Sequence, residues 1–118
     1  MEDPRIEQFA REWIESWNNH DLETLLSHYE DDVMFTSPFV SKLIGEPSGT
    51  IKGKGSLRSY FRKGLAVYPD LKLELLYILK GVNSVALVYR SVNKMLAVEV
   101  MELNSYFKVT RVIAHYSE

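Results

Sequence analysis

His28-Tyr29-Glu30-Asp31-Asp32-Val33-Met34-Phe35-Thr36-Ser37-Pro38-Phe39 joins the end of a short helical pattern to a strand that stops at a proline. The strand expected here, Val33 to Thr36, runs into two hydroxyl side chains, Thr36 and Ser37. Neither can take up a proton near neutral pH, so this strand end offers hydrogen bonds and no base.

Toward the N-terminus, Ile6, Phe9, Ala10, Trp13, Ile14 and Trp17 recur at helical spacing, with Arg5, Glu7, Arg11, Glu12 and Glu15 on the other face. Asp3 before Pro4 supplies an N-cap and a first helical residue, and Asn18-Asn19-His20 ends the helix. Asp21 caps a second, shorter helix carrying Leu22, Leu25, Leu26 and Tyr29 inward.

Toward the C-terminus, fourteen residues separate Pro38 from Gly53, and Gly45-Glu46-Pro47-Ser48-Gly49 has turn chemistry. The connection from Val40 to Lys52 therefore reads as a long loop, either a functional lid or a mobile insertion. Ser56 caps a third helix with Leu57, Tyr60, Phe61 and Leu65 inward, which leaves through Gly64 and Tyr68-Pro69-Asp70. Leu71 to Lys80, Val85 to Val92, Leu96 to Leu103 and Tyr106 to Tyr116 then read as strands of a meander. Gly81-Val82-Asn83, Asn93-Lys94 and Asn104-Ser105 are its turns.

Helices first and strands last give an α+β fold, three N-terminal helices on a curved, mainly antiparallel sheet enclosing a pocket. With 118 residues, 46% hydrophobic and 25% charged, residues 1–118 are expected to form one domain. A net charge of -2 argues against nucleic acid as a partner. The basic cluster from Lys52 to Lys63 is read as a solvated helix face. No run reaches the length of a membrane span and the acidic start is unlike a secretory signal, so no membrane partner is expected. The absence of cysteine excludes a disulfide framework and a thiolate nucleophile, and the expected compartment is the cytoplasm.

The pattern resembles the nuclear-transport-factor-two-like superfamily with its cystatin-like cone, and within it the SnoaL-like and ketosteroid-isomerase-like pocket proteins. The residues that carry the resemblance are Trp17-Asn18-Asn19-His20-Asp21-Leu22-Glu23, Tyr29 to Val33, Ser37-Pro38-Phe39, Gly53-Lys54-Gly55-Ser56 before Tyr60-Phe61, and Ala114-His115-Tyr116. The resemblance implies a cavity bounded by the first helix, the first strand end and the last strand. It also implies a homodimer formed through the sheet, for which Val109 or Val112, Tyr77 and Met101 are the expected outward residues. It does not identify the substrate, because this fold hosts enzymes and binding modules alike.

The ketosteroid isomerase site uses an Asp base, a Tyr and a protonated Asp. By resemblance the base position falls on Ser37, the tyrosine on Trp13 and the second acid on Glu102, so the isomerase site is not intact. If Glu102 faces the cavity, alternation sends Val100, Val98 and Leu96 to the same face and Glu99 and Met101 to the other. An acid on such an apolar wall would be held neutral by desolvation. The alternative is a half-exposed Glu102 in a salt bridge.

The face of Arg90 depends on register. A two-residue turn at Asn93-Lys94 pairs it with Ala97 and sets it beside Glu99, and a slip of one residue groups it with Glu102. An inward Arg90 would favour an anionic ligand. His115 and Tyr116 cannot both face inward on a regular strand, and Tyr116 matches the pocket aromatic of the resemblance. Trp13, Phe35, Phe39, Tyr60 and Tyr116 are the expected aromatic walls, with a Tyr29 hydroxyl nearby. His20, His28 and His115 lack metal-ligand spacing, and His28 beside Asp31 or Asp32 reads as surface charge. No metal and no cofactor are expected, since no phosphate loop or dinucleotide fingerprint appears.

The function these residues favour is binding of a small, largely apolar ligand anchored on Glu102 and Ser37. One alternative is an isomerase or lyase with Glu102 as general acid or base and His115 or water as its partner. The other is a dimeric interaction module whose cavity its own side chains fill.

Overall fold

A computed structural model describes residues 3–117. Helix α1 (Pro4–Asn18) opens on the Asp3 carboxylate, which accepts the Arg5 N–H at 2.9 Å, with proline in the first turn. It ends at His20, whose φ of 55° turns the chain into α2 (Leu22–Leu26). Asp21 caps α2 through the Thr24 N–H at 3.2 Å. These starts and stops lie where the local sequence puts them.

Strand β1 spans Tyr29–Thr36, longer than the stretch from Val33 expected from the sequence. Its pairing with the last strand breaks register between Tyr29 and Met34, and this irregularity hides the first half of the strand from a period-two reading.

The segment read as a loop is instead folded. Pro38 stops β1 and at once begins helix α3 (Pro38–Ile44), because a proline's missing N–H costs nothing in a first helical turn. The Ser37 hydroxyl caps α3 by accepting the Phe39 N–H at 3.2 Å. Gly45 ends it at φ 71°, and β2 (Thr50–Lys52) then pairs antiparallel with β1. Helix α4 (Lys54–Val67) begins just after Gly53, before the expected Ser56 cap.

Strands β3 (Glu74–Gly81), β4 (Ser84–Arg90), β5 (Leu96–Leu103) and β6 (Val109–Tyr116) form the expected antiparallel meander. The six strands lie in the order β2-β1-β6-β5-β4-β3, with β1 and β6 parallel. The helices cover one face. Ile6, Phe9, Trp13, Leu25, Leu26, Leu57 and Phe61 meet Val33, Phe35, Val85, Leu87, Tyr89, Met101 and Val112 in the core. The architecture is the expected cone, with four α-helices where the sequence suggested three. Among the described residues no helix is long and apolar enough to cross a membrane.

Candidate functional site

Between α1, α3, α4 and the concave face of the sheet lies a cavity of about 80 Å³. Helix α1 contributes Trp17, and β1 contributes Phe35 from the row that faces the helices. Helix α4 turns Tyr60, Phe61 and Gly64 toward it, while Phe39 and Leu43 of α3 close another side. Leu71, Leu73 and Tyr68 come from the chain entering β3. Asn18 holds that chain in place: its side chain accepts the Leu73 N–H at 2.7 Å and donates to the Leu73 carbonyl at 2.9 Å. Ser91 and Val92, at the turn between β4 and β5, complete the rim.

The wall is mainly aromatic, and its rings meet edge to face: Trp17 and Phe61 with centroids 4.7 Å apart, Phe39 and Tyr116 also 4.7 Å, and Phe35 and Phe61 5.4 Å. Among the lining residues one carboxyl group interrupts this wall. Glu99 of β5 is 4% exposed and reaches the cavity beside Tyr89 and Tyr116. The Tyr89 hydroxyl donates to Glu99 Oε2 at 2.6 Å and lies 3.5 Å from the Tyr116 hydroxyl. Among the described residues no group bonds to the buried Oε1.

Desolvation is the main reason that the Glu99 carboxyl is pushed up to about 7, and the Tyr89 hydrogen bond opposes it. The same burial, with the carboxylate's charge, raises Tyr116 to about 12 and Tyr89 well above an ordinary phenol. Near neutral pH Glu99 therefore exchanges a proton while the tyrosines stay neutral donors. Ser37, whose hydroxyl caps α3 through the Phe39 N–H, partly offsets the effect of burial on the Tyr60 and Tyr116 phenols.

Phe35, Phe39, Tyr60 and Tyr116, expected from the sequence as walls, all line this cavity. Trp13 and Tyr29 do not. Both are fully buried beneath it, where Trp13 Nε1 donates to the Tyr29 hydroxyl at 3.2 Å, and the neighbouring turn of α1 presents Trp17 instead.

Glu102, His115, Arg90 and Val100 lie on the other face of the sheet, and the expectation that they face the cavity is corrected. Between Arg90 and Leu96 the chain leaves the ladder for a short 3-10 turn, Val92–Lys94, with Asn93 at φ 56°. Strand β4 then pairs Arg90 with Leu96 and Leu87 with Glu99, so Ala97, Glu99 and Met101 turn inward and Val98, Val100 and Glu102 outward. This is the one-residue slip that groups Arg90 with Glu102, but that pair faces away from the cavity. Arg90 is exposed, and its guanidinium donates to the Lys94 carbonyl at 3.3 Å. His115 pairs with Val98 and is exposed too. Val109, Val112 and Met101, expected outward, are core residues.

Glu99 and Tyr89 are the site residues that sequence reasoning missed. The signal was available in β4, where Val85, Leu87 and Tyr89 alternate with Ala86, Val88 and Arg90. Burying the larger set fixes the inward face of β4, and the register of the ladder then decides which face of β5 joins it.

Other candidate chemistry is accounted for. Two residues of the basic stretch of α4 are paired with acids, Lys54 with Asp31 at 3.6 Å and Arg58 with Glu23 at 2.9 Å. His28 packs edge-on against Phe9 and lies 3.6 Å from Glu12. Among the described residues no group of three His, Cys, Asp or Glu could hold a metal ion.

Residues 10–112 match the SnoaL-like domain family. The crystal structure of a SnoaL-like protein of unknown function from Burkholderia thailandensis superposes with a TM-score of 0.94 at 41% identity, covering 99% of this chain and 98% of that one. A nuclear-transport-factor-two-like protein of unknown function from Burkholderia xenovorans gives 0.76 at 18% identity over 98% of this chain and 84% of its own. Another such protein of unknown function, from Cytophaga hutchinsonii, gives 0.74 at 14% identity over 95% and 89%. The last two matches concern the fold alone. No curated protein matches the chain.

Proposed function

The chain belongs to the SnoaL-like family, and on that premise we propose that it binds a small, largely apolar molecule whose one polar group pairs with Glu99. The observation that carries the proposal is the buried Oε1 of Glu99, a residue of the aromatic cavity's wall, which has no donor among the described residues. A buried carboxyl oxygen left unpaired costs on the order of 1–3 kcal/mol, and a ligand that satisfied it would recover that cost. The volume limits the ligand. About 80 Å³ is well below the ~300 Å³ of a typical ligand site, so only a few non-hydrogen atoms enter and the rest extends past Phe39, Tyr68 and Val92.

A second reading is favoured by one observation, the shift of Glu99 to about 7. A carboxyl of that strength is suited to general acid-base catalysis at neutral pH. In an isomerase or lyase Glu99 Oε1 would take a proton from a substrate carbon, then return it to another carbon or give it to a departing hydroxyl. Tyr89 would hold Oε2 throughout.

The proposed assembly is a homodimer through the outer sheet face, in the cytoplasm that a cysteine-free chain suits. Tyr77, Val88 and Val98 form one outward row and Leu79, Ala86, Val100 and Ile113 the next, with Tyr77 65% exposed. Glu102 pairs with Arg111 at one end of these rows, so the patch carries both signs of charge at its edge and can complement a second copy across a two-fold axis.

Titration with n-butanol and 2-butanone, followed by backbone amide shifts, tests the binding proposal. The expected result is a shift set confined to Phe39, Tyr89, Glu99 and Tyr116. It should vanish in Gly64→Leu, which projects a side chain from the cavity wall where a Cβ meets nothing within 4 Å. No shifts with either compound, nor with n-butylamine, would overturn the pocket and favour an interaction module whose own side chains fill the space.

A further inference from the structure

We propose that the ligand's polar group is a protonated amine, held by the Glu99 carboxylate within a cage of aromatic rings. This rests on the pocket reading above and names its ligand class. Three observations carry it.

Among the described residues no Lys, Arg or His forms an ion pair with Glu99, and its Oε1 is without a donor. A buried carboxylate without an internal cation is stabilised most by a ligand that supplies both a positive charge and N–H donors. Second, Trp17, Phe35, Phe39, Tyr60 and Phe61 surround the same space, and the electron-rich faces of such rings attract cations. Third, the phenol next to Glu99 is already committed: Tyr89 donates to Oε2 and has no proton left for a ligand carbonyl or enolate. The carboxyl oxygen that remains for a ligand is therefore Oε1, set among π faces, while the unpartnered donor of the lining is the Trp17 indole N–H.

The titratable groups that act electrostatically with Glu99 are phenols: Tyr89 of β4, Tyr116 of β6, Tyr60 of α4 and Tyr29 of β1. All stay neutral across the physiological range, so Glu99 alone governs how amine binding responds to pH. An alkylamine, protonated like a lysine side chain throughout, gains affinity as Glu99 ionises.

The test compares n-butylamine with n-butanol and 2-butanone, probes of similar size, on the full chain by amide-shift titration from about pH 6 to about pH 8. The expected result is n-butylamine binding at least about tenfold more tightly than n-butanol at the upper pH, with affinity rising as pH increases. Glu99→Gln should remove about tenfold of the amine affinity and abolish its rise with pH. If the alcohol or ketone binds more tightly than the amine, or affinity for the amine falls as pH rises, the inference is overturned while the pocket stands. If none of the three binds, both readings fall. Should Glu99→Gln not fold, the pH trend of the unaltered protein decides.

Discussion

Tyr89 and Glu99 stand diagonally across β4 and β5, and a 2.6 Å hydrogen bond from the phenol to Oε2 makes them one buried unit. Tyr89 pairs with Ala97 and Glu99 with Leu87, so the two long side chains meet above small and aliphatic neighbours. The first two expected outcomes below follow from that placement, and the last from the register that made it.

Stability should fall as pH rises through neutrality. The folded carboxyl of Glu99 is raised from 4.5 to about 7, so between those values the native state holds a proton that the unfolded chain has released. The shift corresponds to about 3 kcal/mol, lost progressively from about pH 5 to about pH 8. Urea unfolding of the protein and of Glu99→Gln across that range is the check: the variant should lack this part of the slope.

Tyr89→Phe removes the donor to Oε2. Because that bond opposes desolvation, its loss should move the Glu99 titration above its present position of about 7. Stability should drop by about 1–3 kcal/mol at pH 8, where the ionised carboxylate loses its partner, and by less at pH 5. Side-chain carboxyl chemical shifts followed against pH would measure the first effect, and denaturant midpoints the second.

Tyr29→Phe separates structure from binding. It leaves the Trp13 indole N–H buried without its acceptor and should cost about 1–3 kcal/mol. Neither residue lines the cavity, so probe affinity should stay within about twofold. Thermal unfolding and an amide-shift titration on the same sample distinguish the two.

Two glycines should respond in opposite directions to alanine. Gly49 has φ +69°, and a Cβ there would lie 3.2 Å from the Ser37 carbonyl oxygen, so Gly49→Ala should destabilise by more than about 1 kcal/mol and disturb the cap of α3 beside the cavity. Gly64 lies inside α4 with nothing within 4 Å of its added Cβ, so Gly64→Ala should stabilise by about 0.5–1 kcal/mol. Denaturant midpoints measure both.

Glu102→Gln and His115→Ala should leave probe binding within about twofold, because both side chains lie outside the cavity. Val100→Lys, on the same outer face, should yield a folded monomer by sedimentation where the unaltered chain sediments as a dimer. A monomeric unaltered chain would overturn the assembly.

Local chemistry in the chain was enough to determine the helix starts at Asp3 and Asp21, the exit at His20, the meander from β3 to β6, and aromatic walls at Phe35, Phe39, Tyr60 and Tyr116. Caps, apolar periodicity and turn residues act within a few positions of one another, and neighbours in sequence suffice to read them. Helix α3 was hidden because Pro38 both stops a strand and starts a helix, and only the pairing of β2 with β1 shows which end of the segment folds back. Glu99 was hidden because a strand of alternating side chains can present either face. Its face is chosen by the ladder to β4, whose register depends on how many residues the turn at Val92–Lys94 removes, and one residue more or less exchanges every inward side chain for its neighbour. That long-range choice put Glu99 in the cavity and Glu102 outside it.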